Sequence, residues 1–222
     1  GAGVAVSRTF TYADWNIPQT ISLNAVNDAY VQGPRTVNVT HAVASADAHF
    51  DGLAVAGVAV DIAEDDVAAV SFALAAQSRA EVDGAITVVV QSSALSAMDV
   101  TVPYTISGTA TLDADFSIAP SPVTIPAGSM TASIAIAIID DWINDNDETI
   151  ILTMGDPLNG VKGAVVVHTV TVTDDEPPGV SIAQPNGSTI VTEGGAADTY
   201  TLVLQSQPLA NVVITINTDA KT

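Results

Sequence analysis

Between Ile134 and Glu148 the chain reads Ile-Ala-Ile-Ala-Ile-Ile-Asp-Asp-Trp-Ile-Asn-Asp-Asn-Asp-Glu, so Asp140, Asp141, Asp145, Asp147 and Glu148 fall within nine positions. Carboxylates brought this close repel one another unless protons or cations intervene. Oxygen ligands on a loop suit a hard cation. Ca2+ takes roughly six to eight oxygens in flexible geometry, whereas Mg2+ retains waters and uses fewer carboxylates, so Ca2+ is the expected ion. Acids also close two other stretches, Glu64-Asp65-Asp66 and Asp174-Asp175-Glu176. No Asp-x-Asp-x-Asp-Gly loop is present, so a calcium site has to be assembled by the fold from separated segments.

Other chemistries find little support. His41, His49 and His168 lack the mutual spacing of a zinc site, and His168 shares the parity of Val170 and Val172, which places it in a core or at an edge. Trp15 and Trp142 fall in loops, where they read as anchors over a sheet end rather than as a carbohydrate platform. There is no Gly-x-Ser-x-Gly elbow and no arguable Ser/His/Asp set. The acids cluster too densely, with too few aromatic residues, for a glycosidase pair. No Cys is present, which removes disulfides, thiolate metal sites and Cys nucleophiles. The chain is expected not to be an enzyme. Five basic residues against 25 acidic ones leave a formal charge of −20, which argues against nucleic-acid partners and disfavours anionic membrane surfaces. No apolar run reaches transmembrane length and no signal peptide is seen, so direct membrane insertion is not expected. The chain begins at Gly1 and stops at Lys221-Thr222 directly after an apolar alternation, and is expected to be a piece of something longer.

The elements that must position these acids are strands. Ile134, Ile136 and Ile138 alternate with alanines, the period of a strand with one buried face. Val100, Val102, Tyr104 and Ile106 alternate likewise, as do Ile21, Leu23 and Ala25 within Gln19–Val26. Strands are expected over Val4–Phe10, Arg35–Val43, Leu53–Ala63, Val70–Leu74, Ala85–Val90, Pro122–Ile125, Thr149–Met154, Ala164–Thr173, Tyr200–Leu204 and Val212–Ile216. Turns are expected at Gln32-Gly33-Pro34, Glu81–Gly84, Pro126-Ala-Gly128 and Glu193-Gly-Gly195.

The chain also repeats itself. Ile21, Leu23, Ala25, Asp28, Thr36, Val37, Val39 and Thr40 fall without a gap on Ile134, Ile136, Ile138, Asp141, Thr149, Ile150, Leu152 and Thr153. Ile62–Asp66 matches Val172–Glu176, and Val180-Ser-Ile182 echoes Val70-Ser-Phe72. The expected organisation is therefore all-β: tandem Greek-key, immunoglobulin-like seven-stranded sandwiches, one complete and two partial. Residues 1–66 form the C-terminal part of one unit, 67–176 a complete domain, and 177–222 the N-terminal part of a third.

The central unit resembles the Calx-beta domain, a module of sodium–calcium exchangers, an integrin and many large bacterial surface proteins. The phrases that carry the resemblance are Val-Thr-Val-Pro-Tyr-Thr-Ile-Ser-Gly-Thr-Ala (100–110), Asp-Phe (115–116), Ile-Pro-Ala-Gly-Ser (125–129), Ile-Ile-Asp-Asp (138–141), Asp-Glu-Thr (147–149) and Val-Thr-Asp-Asp (172–175). The resemblance implies a seven-stranded Greek-key sandwich with Ca2+ at one end. It implies as ligands Glu81, Asp115, Asp140, Asp141, Asp174 and Asp175 with the carbonyl of Ile143, joined by Glu148 and Glu176. Asp145 stands where some members have Glu, which leaves one ion position short. The first unit departs from the pattern: Asn27 replaces Asp140, Gln32 replaces Asp145 and Arg35 falls where Glu148 stands, leaving Asp28, Glu64, Asp65 and Asp66. A calcium site there is expected to be weak or dead. The third unit offers Glu193 alone.

These readings converge on a calcium-binding structural and adhesive repeat of an extracellular or cell-surface protein, in which Ca2+ stiffens loop ends and the joints between modules. Its partners are the neighbouring repeats of the same chain. The incomplete ends leave strand edges open and allow head-to-tail self-association. Two alternatives are a calcium-sensing regulatory module of a membrane transporter and a non-catalytic appendage of an extracellular enzyme.

Overall fold

The structure, a computed structural model, describes residues 5–144 and 146–218. It is all-β, with two short 3-10 turns at Glu81–Asp83 and Pro185–Gly187. The chain packs as two units: residues up to Asp28 together with Pro34–Ile62, and Ala29–Gly33 together with residues from Ala63 onward.

The larger unit is built on a sandwich of two sheets. One sheet has the order Phe116–Ile118, Thr131–Ile138, Ile86–Ser92, Ala69–Phe72, Val161–Lys162. The other runs Ala76–Ala80, Val167–Thr173, Glu148–Met154, Tyr104–Gly108. The first segment of the domain serves both sheets: Ala73 N donates to the Val89 carbonyl, and after Leu74 the Ala75 carbonyl accepts from Thr169 N on the opposite layer. Pro103 offers no N–H, and the expected long strand breaks there into Val100–Val102, paired with Val123–Ile125, and Tyr104–Gly108. The short strands Ala76–Ala80, Leu95–Ser96, Phe116–Ile118 and Val161–Lys162 carry no clear alternation and were not expected from the sequence.

Alternation becomes burial as the period predicts. Ile134, Ile136 and Ile138 are buried and the alanines between them are exposed. They face Ile150, Leu152, Val170 and Val172 of the other sheet, and Phe72, Val90 and Phe116 complete the core. His168 lies in this core, its Nδ1 2.7 Å from the Leu74 carbonyl and its ring tilted over Phe72. Tyr104 is buried with its hydroxyl donating to the Ala119 carbonyl at 2.5 Å, and burial pushes that hydroxyl up from its ordinary value. Tyr104→Phe leaves the Ala119 carbonyl short of a donor and is expected to cost about 1 kcal/mol in denaturant unfolding, with the calcium response unchanged.

The smaller unit contributes a hairpin, Arg35–Val39 with Val58–Ile62. Its register repeats that of the central hairpin: Arg35 opposes Ile62 and Val39 opposes Val58, as Glu148 opposes Val172 and Leu152 opposes His168. After Gly179 the chain forms a second hairpin, Val180–Ala183 with Thr201–Leu204, in the register of Ala69–Phe72 on Ile86–Ser92. Residues 19–26 and 212–216 are not strands, although their sequences alternate. Of the first expected strand, Val4 lies outside the described residues and residues 5–10 form no ladder. Trp15 and Trp142 are 70% and 73% exposed, which corrects the expectation that they pack over a sheet end.

Candidate metal centre

The acids converge at one end of the sandwich because three strand ends meet there. The Thr131–Ile138 strand runs into Asp140, the Val167–Thr173 strand runs into Asp174, Asp175 and Glu176, and the Ala76–Ala80 strand stops at the 3-10 turn carrying Glu81. Ala76–Ala80 pairs in parallel with Val167–Thr173, Thr173 opposite Ala80, so both strands deliver their following acids to the same place. Gly84, at positive φ, closes the turn by donating to the Glu81 carbonyl. Val82 N donates to Asp175 Oδ1 at 3.3 Å and ties the two segments together.

Two overlapping sets of carboxylate oxygens result. Glu81, Asp174 and Glu176 form one, and Glu81, Asp140 and Asp175 form the other, with all chosen oxygens of a set within 4.8 Å of one another. Glu81 and Glu176 are buried, while Asp140 and Asp175 reach solvent. Glu176 Oε2 is shielded from water and has no hydrogen-bond partner. Burial, and then the charges of Asp175, Asp174 and Asp140, push the Glu176 carboxyl above its ordinary value. A buried oxygen without a donor, inside a set made entirely of carboxylates, fits a hard divalent cation.

The remaining expected ligands are placed differently. Asp115 sits beside this end, its carbonyl accepting from Ile139 N, but one carboxylate oxygen accepts from Thr111 N at 2.6 Å and holds its own turn. Asp141 Oδ1 accepts from Ile143 N at 2.6 Å and shapes the loop. Glu148 opens its strand half-buried, with Oε2 shielded from solvent. Ile143 is half-buried and bridges Gln207 in parallel. Asp145 lies outside the described residues. Among the described residues, the convergent oxygen sets include none of these. Asn144 was not expected from the sequence, which drew attention to acids. Its Nδ2 donates to Asp174 Oδ2 at 3.0 Å and to the Glu176 carbonyl, tying the acidic loop to the terminal acids.

A second acidic cluster precedes the Ala69–Phe72 strand. Glu64, Asp65 and Asp66 also bring oxygens within 4.8 Å. Here, however, Glu64 Oε2 accepts from Gln32 N at 2.7 Å and Gly33 N at 3.1 Å, and Oε1 from Asp66 N at 3.1 Å. These amides, Gln32 foremost, hold the Glu64 carboxyl below its ordinary value. Both Glu64 carboxylate oxygens thus accept from backbone amides.

The sequence model of the Calx-beta domain matches residues 63–176, just over half of the chain. The chain belongs to the Calx-beta family. Solved structures similar to this Calx-beta chain include the apo form of the Calx CBD1 domain, at 27% identity and a TM-score of 0.45, over 50% of this chain and 99% of that one. CBD12 from CALX1.2 and the calcium binding domain CBD12 of CALX1.1 are each 28% identical with TM-scores of 0.44, over 48% of this chain and 44% of theirs. The Calx-beta chain thus spans less than half the length of those two. No curated protein sequence matches it. Among the described residues, no helix is long and apolar enough to cross a membrane.

Proposed function

We propose that this Calx-beta chain is a calcium-binding module whose ion sits among Glu81, Asp140, Asp174, Asp175 and Glu176. The observation that carries the reading is the convergence of these carboxylates from three segments around a buried, partnerless Glu176 oxygen. Membership of the Calx-beta family supports the choice of ion. The chain's own residues would supply charge and oxygens, with Asn144 and Val82 N orienting Asp174 and Asp175. The role is structural rather than catalytic: the ion would relieve repulsion at the loop end and stiffen it.

In the finer reading the module is an adhesive repeat of an extracellular or cell-surface protein. The same acidic end adjoins the next hairpin, where Gln207 N donates to the Trp142 carbonyl at 2.5 Å and Ile143 bridges Gln207, so an ion would firm that joint as well. The −20 charge and the tandem register suit a solvated, repeated surface module. Calorimetric titration of the whole chain with CaCl2 tests the site. Heat that saturates at one or more equivalents is expected, and Asp140→Asn combined with Asp175→Asn should weaken binding at least tenfold. Asp65→Asn with Asp66→Asn should leave it within twofold. No heat up to several millimolar calcium would end the reading, because extracellular sites bind at roughly 10⁻⁴ to 10⁻³ M or tighter.

A further inference from the structure

Ala29–Gly33 belongs by sequence to the first repeat, yet it packs with the larger unit. Tyr30–Val31 pairs in parallel with Leu95–Ser96, Tyr30 opposite Leu95 and Val31 opposite Ser96. The Val31 carbonyl accepts from Ala97 N at 2.8 Å. Val31 is 6% exposed and belongs to the same apolar core as Val100, Val102 and Ile125. Gly33 lies over Met98, whose Cε would be 3.8 Å from a Cβ added there, and Met98 packs on that core as well. At the C-terminal end of the segment Glu64 Oε2 accepts from both Gln32 N and Gly33 N. A short ladder, one buried side chain and one carboxylate on two amides together hold an extended peptide by strand addition.

The same register recurs one repeat later. The alignment that sets Asp28 on Asp141 and Thr36 on Thr149 sets Ala29, Tyr30 and Val31 on Trp142, Ile143 and Asn144. Leu204 opposes Val180 as Ser92 opposes Val70, and Gln207 follows Leu204 by three residues as Leu95 follows Ser92. Ile143 bridges Gln207 in parallel, as Tyr30 does Leu95, and Gln207 N donates to the Trp142 carbonyl. The tie to a terminal acid recurs too: Asp174, which falls on Glu64, accepts from Asn144 Nδ2. The two pairings differ at one position. Val31 extends the ladder and is buried, whereas Asn144 turns its amide back to Asp174 and the Glu176 carbonyl, and the pairing there is a single bridge.

We propose that this edge, Leu95–Met98 in the central repeat and Gln207 in the next, is the docking site through which a repeat takes up the loop of the repeat before it. The residue at the second paired position, Val31 or Asn144, sets how firmly the loop is held. An apolar side chain there enters the receiving core. An amide side chain cannot do so without giving up its hydrogen bonds, so Asn144 leaves the bridge to the main chain alone. The loop before Arg35 is therefore the tighter latch and the loop before Glu148 the looser. What the edge recognises is an extended segment with a branched apolar residue followed two positions on by glycine, as in Val31-Gln32-Gly33.

The test is amide hydrogen exchange on the whole chain, read residue by residue, which reports the opening of each segment separately. In the parent, the Ala97 amide should exchange at least tenfold more slowly than that of Gln207. Val31→Asn, which installs the residue of the second loop, should speed Ala97 at least tenfold, and Val31→Ile should leave it within twofold. Glu64→Ala should speed Gln32 and Gly33 at least tenfold. The amides of Ile134, Ile136 and Ile138 are the folding control and should keep their protection in all three variants. Ala97 exchanging as fast as Gln207 in the parent overturns the proposal, as does an Ala97 still protected in Val31→Asn or a Gly33 still protected in Glu64→Ala. Loss of protection at Ile134–Ile138 together with Ala97, or a Val31→Asn chain that does not fold, overturns it too, because Val31 would then be a core residue of the sandwich rather than a separable anchor.

Discussion

Glu176→Gln is expected to raise the melting temperature in EDTA and to lower it in calcium, relative to the unsubstituted chain. The reversal follows from the raised carboxyl of Glu176, held up first by burial and then by Asp175, Asp174 and Asp140. Below the ordinary carboxylate range the group is protonated in folded and unfolded chains alike and imposes no penalty. As pH rises, the unfolded chain ionises first and the folded one resists, so the native state loses stability until the folded group has ionised as well. At neutral pH without metal, the folded protein therefore carries an anion that its surroundings disfavour, and the neutral amide removes it. Calcium inverts this, because it binds the ionised, assembled oxygens and only the folded chain presents them together. At a hundredfold excess over Kd the gain is about 2.7 kcal/mol. For a chain of this size that corresponds to roughly 5–10 °C. The amide is a poorer ligand and should forfeit most of that rise. Thermal melts at pH 4, 5.5 and 7, with EDTA and with calcium, read both signs. Equal calcium shifts in parent and variant would remove Glu176 from the site. A parent in EDTA no less stable at pH 7 than at pH 4, relative to the variant, would remove the account of its charge.

Much of this end of the molecule was legible in the sequence. Strictly alternating isoleucines have one way to be half-buried, so the Thr131–Ile138 strand and the acids after it could be placed without coordinates. The repeat located the Arg35–Val39 and Val180–Ala183 hairpins, since a shared apolar register implies a shared pairing. What failed is informative. Gln19–Val26 and Val212–Ile216 have strand sequences and no ladder, because among the described residues no segment pairs with them as Ile86–Ser92 pairs with Thr131–Ile138 or Val123–Ile125 with Val100–Val102. A strand is a property of two segments, and alternation reports one. At the site, the resemblance named ligands residue by residue, and a carboxylate can shape a loop whether or not it also holds an ion. Asp141 and Asp115 spend oxygens on the amides of Ile143 and Thr111, a local arrangement of the kind that Asp makes in turns. Asn144 escaped notice because an amide ties the acids together without adding charge.

Gly108→Ala should be the most damaging single methyl group that can be added to the sandwich. Gly108 ends the Tyr104–Gly108 strand at φ +128°, a conformation that L side chains rarely adopt, opposite Ile150 of the core. A Cβ there would lie 2.0 Å from the Thr149 carbonyl oxygen, 2.8 Å from its carbon and 3.3 Å from Ile150 Cα. All three are backbone atoms of a strand paired on both edges, so no side chain can turn aside to relieve the clash. That same Thr149 oxygen accepts from Thr109 N at 3.0 Å and Ala110 N at 3.1 Å, and Thr149 N donates to the Thr109 hydroxyl at 2.8 Å. Separating the strands far enough to admit the methyl would break these together. Backbone strain of about 1–3 kcal/mol and roughly 1 kcal/mol for each lost hydrogen bond give an expected loss of about 3–5 kcal/mol. Native stability is itself only about 5–15 kcal/mol, so the variant should lie near the limit of folding at 37 °C. Gly128→Ala supplies the control: φ is also positive, at +76°, but nothing lies within 4 Å of the added carbon. It should cost about 1 kcal/mol, the conformational penalty alone. Urea unfolding of the two variants separates the terms, and similar midpoints for both would show that the close approach at Thr149 does not limit this edge of the sandwich. Thr149 follows Glu148 directly, whereas the converging carboxylates lie on Glu81, Asp140 and the 174–176 segment. Whatever Gly108→Ala protein remains folded should therefore still gain stability from calcium.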